Sequence, residues 1–399
     1  MRRASIVLRY GVLSSIVLAG CSQRSGSGTA WEGAVDTLPD GHVAIRNGDR
    51  GIWTPDSVWK VEEEFRIGAV ASEGPENFGD IASIALDGLD RIWILDHQAA
   101  ELRVFDSNGS YVRTVGRRGS GPGEFRQPVR VDISPDGRIW VMDPGNARIS
   151  VFDSAGTYVE AIPTTSGFVM LPWPGGFDER GHYYAPVLRS GFHVDLARFN
   201  AAYEPIDTIE VPTNPVPREE FELVIDGRVQ QDEPVPFQGS FVWRLSPTGT
   251  VWALVSDEYR LFELDPGGDT LSVITKTFTP IRIVNEERDS ALDDLKPFIE
   301  MGGKVDPSRI PSYRPAVRSF FVDDHSVLWV ERANPFGRAD LRFDLFNPAG
   351  QYLGVVDIPF ALRMTPAPLI RANVLWAVVT DTLDVQYVLR ARIRRPNGR

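Results

Sequence analysis

Two stretches of this sequence share one pattern: residues 91–111 read RIWILDHQAAELRVFDSNGSY, and residues 138–158 read RIWVMDPGNARISVFDSAGTY. The second stretch lies 47 residues after the first, and the same shift places Phe78 on Phe125. These identities in one register show an internal repeat, and a period in the forties is typical of propeller blades. Both copies are rich in Ile, Val, Trp and Phe between turns of Gly, Asp and Pro, which indicates short β-strands rather than helices.

Weaker copies of the pattern continue along the chain and bring the number of units to six. Several copies carry a turn in which Asp or Asn is followed three residues later by Gly; the acid or amide binds its own backbone and Gly supplies a positive φ. A calcium loop is the other interpretation of these Asp residues, but the loops are too short for one. The second strands carry the aromatic residues Trp93, Trp140, Tyr184, Trp252, Trp329 and Trp376, and the turns are 106–109, 153–156, 265–268 and 347–350.

The last unit, at about 366–395, has material for three strands only. Residues 64–78 parallel residues 112–125, so the segment before the first full repeat has the pattern of an outer strand. Such a strand would complete the last blade and leave no free sheet edge. The sequence therefore predicts an all-β fold: a six-bladed β-propeller of four-stranded blades closed by an N-terminal strand, with 36–47 as an extra strand or arm.

Residues 121–128, 135–141 and 146–153 together resemble the NHL repeat, closely over about 75–162 and loosely elsewhere. The resemblance implies a six-bladed NHL-like propeller of the lipoprotein kind. Propellers of this type include the amidating lyases, the streptogramin lyases and the calcium-dependent lactonases. None of their site motifs can be matched to this sequence residue by residue, and a shared fold alone does not give a function.

The first 20 residues have the features of a secretory signal peptide, with arginines followed by an apolar stretch too short to span a bilayer as a helix. Residues 18–21 resemble the bacterial lipobox, which implies that Cys21 is diacylated and becomes the mature N-terminus. Ser22 after the cysteine resembles the outer-membrane sorting pattern. We therefore expect a membrane partner through Cys21, a flexible tether over 21–30, and a propeller domain over 31–399 in the bacterial cell envelope, facing the periplasm or the surface. A buried thiol behind an ordinary signal peptide is the alternative.

The charge and cysteine content exclude several classes of function. The formal net charge is −12, and removal of residues 1–20, which hold three arginines and no acid, makes it −15. Nonspecific nucleic-acid binding is therefore not expected. The single cysteine excludes a disulfide framework and cysteine-based zinc sites. The C-terminal arginines 390, 392, 394 and 395 alternate as on a strand and predict a solvated face with a tail.

Two connections between blades, at about 212–238 and 280–315, are longer than is usual for structureless loops. In a propeller, the loops between second and third strands and the blade-to-blade connections lie on one face. We expect both long connections to form a partial cap over that face. Within the second insertion, apolar residues at helical spacing predict a helix over 286–300, with Asn285 as its cap and Pro297 bending it. Those apolar residues are Leu292, Leu295, Phe298 and Ile299.

The repeat register brings several basic side chains to this same face. Arginines of an otherwise acidic protein can hold a carboxylate, sulfate or phosphate by paired hydrogen bonds. For each arginine, an ion-paired or solvated side chain is the alternative. The candidate ligand-binding residues are His97, Arg117, Arg148, Arg189, His193, Arg260 and Arg332.

These observations favour a noncatalytic binding module for a protein, peptide or glycan, with no catalytic residue assigned and the cofactor left open. The alternative is a propeller lyase or hydrolase with a divalent metal at the channel mouth, held by His97, His193 and Asp257. The five histidines form no HExxH or HxH pair, which disfavours the metal enzyme.

Overall fold

The computed structural model describes residues 31–70, 74–164, 174–188, 194–211, 215–338 and 340–396. These residues form six blades of four antiparallel strands each, one of which is extended by two further strands, together with a separate two-stranded hairpin. The predicted six-bladed propeller is confirmed. Among the described residues, no helix is both long and apolar enough to cross a membrane. The signal peptide and tether predicted over 1–30 lie outside the described residues.

Each blade begins with an inner strand at the central channel and proceeds outward. The strands before the first full blade are β1 (Gly33–Thr37), β2 (Val43–Asn47) and β3 (Lys60–Ile67). Blade 1 contains β4 (Ile81–Leu86), β5 (Ile92–Asp96), β6 (Glu101–Phe105) and β7 (Tyr111–Val115). Blade 2 contains β8 (Arg130–Ile133), β9 (Ile139–Asp143), β10 (Arg148–Phe152) and β11 (Tyr158–Pro163). Blade 3 contains β12 (Gly176–Phe177), β13 (Tyr183–Leu188), β14 (Val194–Phe199) and β15 (Pro205–Ile209).

The second half of the chain adds the two insertions. A hairpin of β16 (Glu220–Ile225) and β17 (Arg228–Pro234) precedes blade 4, which contains β18 (Phe241–Leu245), β19 (Val251–Val255), β20 (Arg260–Leu264) and β21 (Thr270–Lys276). Helices α1 (Asn285–Asp294) and α2 (Lys296–Glu300) precede blade 5, which contains β22 (Val317–Val322), β23 (Leu328–Arg332), β24 (Leu341–Phe346) and β25 (Tyr352–Ile358). Blade 6 contains β26 (Leu369–Arg371), β27 (Val374–Thr380) and β28 (Gln386–Arg394). Short 3-10 turns occur at Pro55–Ser57, Pro144–Asn146 and Pro307–Arg309.

The N-terminal strand β3 closes the ring, as the sequence predicts. It pairs with β28 in antiparallel register from Lys60 opposite Arg394 to Ile67 opposite Val388, and so becomes the fourth strand of blade 6. Ile67 is buried between blades 6 and 1, in one apolar cluster with Val388 and Ile84. The ring is therefore held together by residues that lie more than 300 positions apart.

The C-terminal arginines do more than form a solvated face. Arg392 Nε lies 2.9 Å from Glu64 Oε1, and Arg394 Nε lies 2.9 Å from Glu62 Oε2. Arg390 also pairs with Glu64. These pairs join β28 to β3, because alternate residues of the two strands point to the same side of the sheet. The predicted solvated face is in fact an ion-paired seam.

The strands β1 and β2 extend blade 4, where β2 pairs in parallel with the outer strand β21. Asn47, at the end of β2, is buried and its side-chain oxygen accepts from Tyr352 N at 2.8 Å. Thr277 N donates to Asn47 O, and Asn47 is opposite Gly33 at the start of β1. The described chain therefore enters the fold at the end of blade 4 from which the 280–315 insertion departs.

The six aromatic residues of the second strands are all buried, as expected. Trp93 Nε1 donates to Asp87 in the first turn of blade 1, at 2.9 Å, and Trp329 Nε1 donates to Asp323 of blade 5, at 3.2 Å. Trp140 of blade 2 has no such partner among the described residues. The turns behave as predicted: in 106–109, the carboxylate of Asp106 accepts from two backbone N–H groups, and the Gly closes the turn with a positive φ.

The two insertions pack on each other at one corner of the propeller. Phe221 and Leu223 of the hairpin form a small core with Leu295 and Phe298, whereas Ile299 of the predicted apolar stripe is exposed. The predicted single bent helix is two helices, because Pro297 starts a new helical segment in the first turn of α2.

The predicted N-cap of this insertion is wrong by one residue. Asn285 is the first helical residue, and Val284 before it has the extended backbone of a cap position. The N–H of Val284 donates to Glu287 Oε2 at 3.0 Å. The carboxylate of the first turn thus satisfies the backbone N–H of the cap residue.

Candidate functional site

The second-to-third-strand loops and the blade-to-blade connections lie at one end of the ring, since the strands of every blade alternate in direction. We call this end the cap end, because both insertions, 215–238 and 280–315, leave the blades there. His97 lies between β5 and β6, and its Nδ1 is 2.8 Å from Pro128 O of the next connection. The histidine therefore links blade 1 to the loop that leads into blade 2.

The guanidinium of Arg148 donates hydrogen bonds to backbone carbonyls of that same connection. Its Nη2 donates to Gly121 O at 2.6 Å and to Glu124 O at 2.8 Å, and its Nη1 donates to Ser120 O at 3.2 Å. Arg117 is 78% exposed and its Nε donates to Glu124 Oε1 at 2.9 Å. Both arginines hold the long loop between β7 and β8 in place.

Arg260 and Arg332 also have partners within the fold. Arg260 pairs with Glu258 at 2.7 Å and lies over the ring of Phe262. Arg332 lies 3.7 Å from a carboxylate oxygen of Asp344, which is fully buried. Hydrogen bonds from two tyrosines to this carboxylate complete a polar network between blades 4 and 5; the tyrosines are Tyr259 and Tyr352.

Each described member of the predicted cluster has a partner within the fold, and its role in ligand binding stays a prediction. His97, Arg117, Arg148, Arg260 and Arg332 share the cap end, and Arg189 and His193 lie outside the described residues. None of the five described residues lines the central channel. Their positive charges are matched by carboxylates, or their N–H groups by carbonyls, of neighbouring segments.

The central channel contains a cavity with a volume of about 950 Å³. Residues of all six blades line it, at or beside the first strand of each blade. Its apolar wall is formed by Ile84, Phe177, Phe241, Trp243, Phe321 and Met364. A cavity of this size can accept a ligand as large as a drug-sized molecule.

Two arginines enter this apolar channel, and one of them is neutralised. The guanidinium of Arg130 in β8 binds both carboxylate oxygens of Asp132, with Nε at 2.9 and 3.0 Å. Burial acts to lower the pKa of Arg130, but the charge and the hydrogen bonds of Asp132 together act against it, and the pKa is raised. Gly176 of blade 3 permits this arrangement, since a Cβ at this position would lie 2.6 Å from Arg130 Nη2.

Arg244 in β18 is the second arginine, and it is not neutralised among the described residues. Its Nη1 donates to Trp243 O at 3.2 Å, and its buried Nε has no hydrogen-bond partner in the described structure. Burial lowers the pKa of Arg244, and no described carboxylate is close enough to act against this. An arginine nevertheless stays charged, so Arg244 presents a cation with no ion-pair partner among the described residues, although the carboxylates of Asp178 and Glu179 also line the channel.

The sequence analysis missed both channel arginines. Arg244 interrupts the apolar segment FVWRL at 241–245, and this interruption is the sequence signal of a channel arginine. The sequence alone could not place Arg244 in the channel, since the first strands that form the channel wall are short and hard to locate. Blade 3 contributes only the two-residue strand β12, and its boundaries are not visible in the repeat pattern.

The residues considered for a metal site do not meet in the channel where they are described. Asp257 lines a separate cavity of about 280 Å³ between blade 4 and the insertions. Asp323, Asp324 and His325 form a group with metal-ligand spacing in the first turn of blade 5. Their oxygen atoms are already used: Asp323 accepts from the turn backbone and Trp329, and Asp324 accepts from the N–H of Ala372 at 3.0 Å.

Comparison with known proteins supports the architecture. A family model, DUF5128, described as a 6-bladed beta-propeller, matches residues 75–163. The two best repeats decide this match. No curated protein sequence is significantly similar to the chain.

The chain is also similar to solved structures over a larger part of its length. A member of the duf4221 family from Bacteroides vulgatus is 10% identical, with a TM-score of 0.51 and coverage of 85% of this chain and 99% of that one. A protein of Bacteroides fragilis described as exported is 12% identical, with a TM-score of 0.48 and coverage of 88% and 99%. Virginiamycin B lyase from Staphylococcus aureus is 10% identical, with a TM-score of 0.41 and coverage of 84% and 99%. At these identities the likeness concerns the fold alone.

Proposed function

We propose that this protein is a lipid-anchored, noncatalytic binding protein of the bacterial cell envelope, and that its ligand binds in the central channel. The ligand classes expected from the sequence are a protein, a peptide or a glycan. The observation that carries the proposal is the cavity of about 950 Å³ to which all six blades contribute. A closed ring presents such a cavity on a rigid frame, which suits binding without large rearrangement.

The described lining of the channel suits binding better than catalysis. Its titratable side chains are Arg130, Asp178, Glu179 and Arg244. Asp178 is committed to the fold, because it accepts from Tyr184 Oη at 3.0 Å and from the backbone of its own turn. Nucleophilic or general-base chemistry needs a nucleophile beside a base. The described lining presents no such pair.

The anchor is supported by residues 18–21 and by the path of the chain. Nine residues lie between Cys21 and Trp31, where the described chain begins, and the ten steps from one Cα atom to the next span at most about 35 Å. The start of β1 lies at the cap end of blade 4. A lipid on Cys21 would therefore hold the cap end near the membrane.

The binding proposal can be tested with a thiol placed in the channel. A chain beginning at Ser22 has no native cysteine. We would introduce Met364→Cys in the channel wall and, as a matched control, Ser110→Cys in an exposed outer turn. Pools of short peptides, oligosaccharides and small organic acids would be added while the rate of maleimide modification is measured.

A pool that contains a ligand is expected to slow modification of Cys at 364 and to leave the control at 110 unchanged. The melting temperature identifies pools that bind at all. A pool that raises the melting temperature of both variants without protecting position 364 would place binding outside the channel and contradict the proposal.

A further inference from the structure

We propose that the channel selects a small organic anion with an apolar body, and that Arg244 binds its negative group. This inference rests on the proposed function, because it takes the channel as the binding site. It replaces the protein, peptide or glycan expected from the sequence with one chemical class: a carboxylate, sulfonate or phosphate monoester on an aromatic or aliphatic skeleton.

The first argument is the distribution of counter-charges. The protein has 54 acidic and 42 basic residues, so carboxylates are in excess. The arginine at position 130 in the same channel has a carboxylate bound through two oxygens, and Arg260 outside it is paired as well. Arg244 lacks such a partner within the described ranges, although acids are abundant elsewhere.

The second argument is the cost of an unpaired charge in apolar surroundings. Removing a guanidinium from water is unfavourable unless an anion or several acceptors replace the lost hydration. Arg244 retains one hydrogen bond to a carbonyl and leaves its Nε unsatisfied in the described structure. A ligand anion would supply the missing acceptors in the paired geometry that guanidinium groups favour.

The third argument is the chemistry of the walls. Phe241 and Trp243 precede Arg244 in the same strand and line the cavity, to which Met364 and Phe321 also belong. Such walls favour an apolar body over a bare inorganic anion. Arg130 is paired with Asp132. The other lining carboxylates, Asp178 and Glu179, form no ion pair with Arg244 in the described structure, so Arg244 is the lining cation left to bind a ligand anion.

Two dyes of nearly equal shape, one anionic and one neutral, distinguish the contribution of the ligand's charge to binding from that of its apolar body. The anion is 8-anilinonaphthalene-1-sulfonate, and the neutral analogue is N-phenyl-1-naphthylamine. Fluorescence titrations would use the chain beginning at Ser22, since residues 1–21 lie outside the described ring. The variants are Arg244→Met, Arg244→Lys, and the control Arg228→Met in the exposed hairpin turn.

We expect Arg244→Met to weaken binding of the sulfonate by about tenfold or more and to leave the neutral dye unchanged. Arg244→Lys should keep most of the sulfonate affinity, because it keeps the charge, and Arg228→Met should change neither dye. Equal sulfonate affinity of the wild type and Arg244→Met would overturn the inference. Loss of both dyes on Arg244→Met, with an unchanged circular dichroism spectrum, would also overturn it, because the effect would then be one of shape.

The Met364→Cys reporter distinguishes this failure from failure of the proposed function. If both dyes protect position 364 with or without Arg244, the channel binds ligands and the anion preference is wrong. If neither dye protects position 364 in the wild-type background, these compounds do not occupy the channel and both proposals lose their support. Protection by the sulfonate that depends on Arg244 supports both.

Discussion

Replacement of Ile67 by Ala tests whether an N-terminal strand closes the ring. Ile67 is 2% exposed and belongs to an apolar cluster shared by blades 6 and 1, with Trp376 and Ile92 among its members. Removing three carbon atoms from such a site costs about 2–5 kcal/mol of unfolding free energy, from the lost burial and the cavity left behind. The matched control is Val112→Ala on the outer strand β7, where the side chain is 36% exposed and a change of at most about 0.5 kcal/mol is expected.

The assay is equilibrium urea unfolding of the chain that begins at Ser22, followed by tryptophan fluorescence. Deletion of residues 31–70 provides a second test, because it exposes β28 as an unpaired edge and should cause aggregation. Deletion of 22–30 should have no such effect. Equal stability of Ile67→Ala and Val112→Ala, or of the two deletions, would refute closure by this strand.

Three further predictions follow from particular contacts and the chain terminus. Trp140→Ala should lower the unfolding free energy by about 3–5 kcal/mol in urea titrations, because the buried indole packs against Tyr183 and Phe177; a loss below about 1 kcal/mol would contradict this packing. Burial acts to raise the pKa of Asp87, but hydrogen bonds, the one from Trp93 foremost, hold the pKa below its ordinary value. The ionised carboxylate therefore stabilises the folded protein above about pH 4, and this stabilisation is lost as the pH falls further. Asp87→Asn should thus cost about 1–2 kcal/mol at pH 7 and less at pH 2.5 in urea titrations, and an equal loss at both pH values would exclude the charge as the cause. Cys21→Ala should abolish acylation and membrane association with an unchanged circular dichroism spectrum, and unchanged partitioning in detergent phase separation would contradict the lipid anchor.

The repeat made most of the fold predictable from sequence. Trp93 and Trp140 lie in the same register within it, and turns with Asp or Asn followed by Gly mark where the third strands end. The closing strand was also predictable, because residues 64–78 repeat the pattern of 112–125. These features depend on local alternation and turn chemistry, which a sequence displays directly.

Less of the candidate site could be predicted from the sequence, because its side chains find their partners only in the folded structure. The sequence placed Arg148 and Arg332 at one end of the ring, but it could not show that Arg148 binds three carbonyls or that Arg332 faces the buried Asp344. Those partners come from loops and from other strands. Conversely, Arg244 is informative only because a counter-charge is lacking among the described residues, and this property depends on the packed structure.

The central claim is that ligands bind in the channel and not among the arginines of the connecting loops. The most direct test is a crystal structure of the chain beginning at Ser22 after soaking with 4-iodobenzoate, whose iodine atom is located by its anomalous scattering. We expect the iodine in the channel and the carboxylate within hydrogen-bond distance of the Arg244 guanidinium. An iodine peak beside Arg117, Arg148, Arg260 or Arg332, with the channel free of the compound, would contradict the claim.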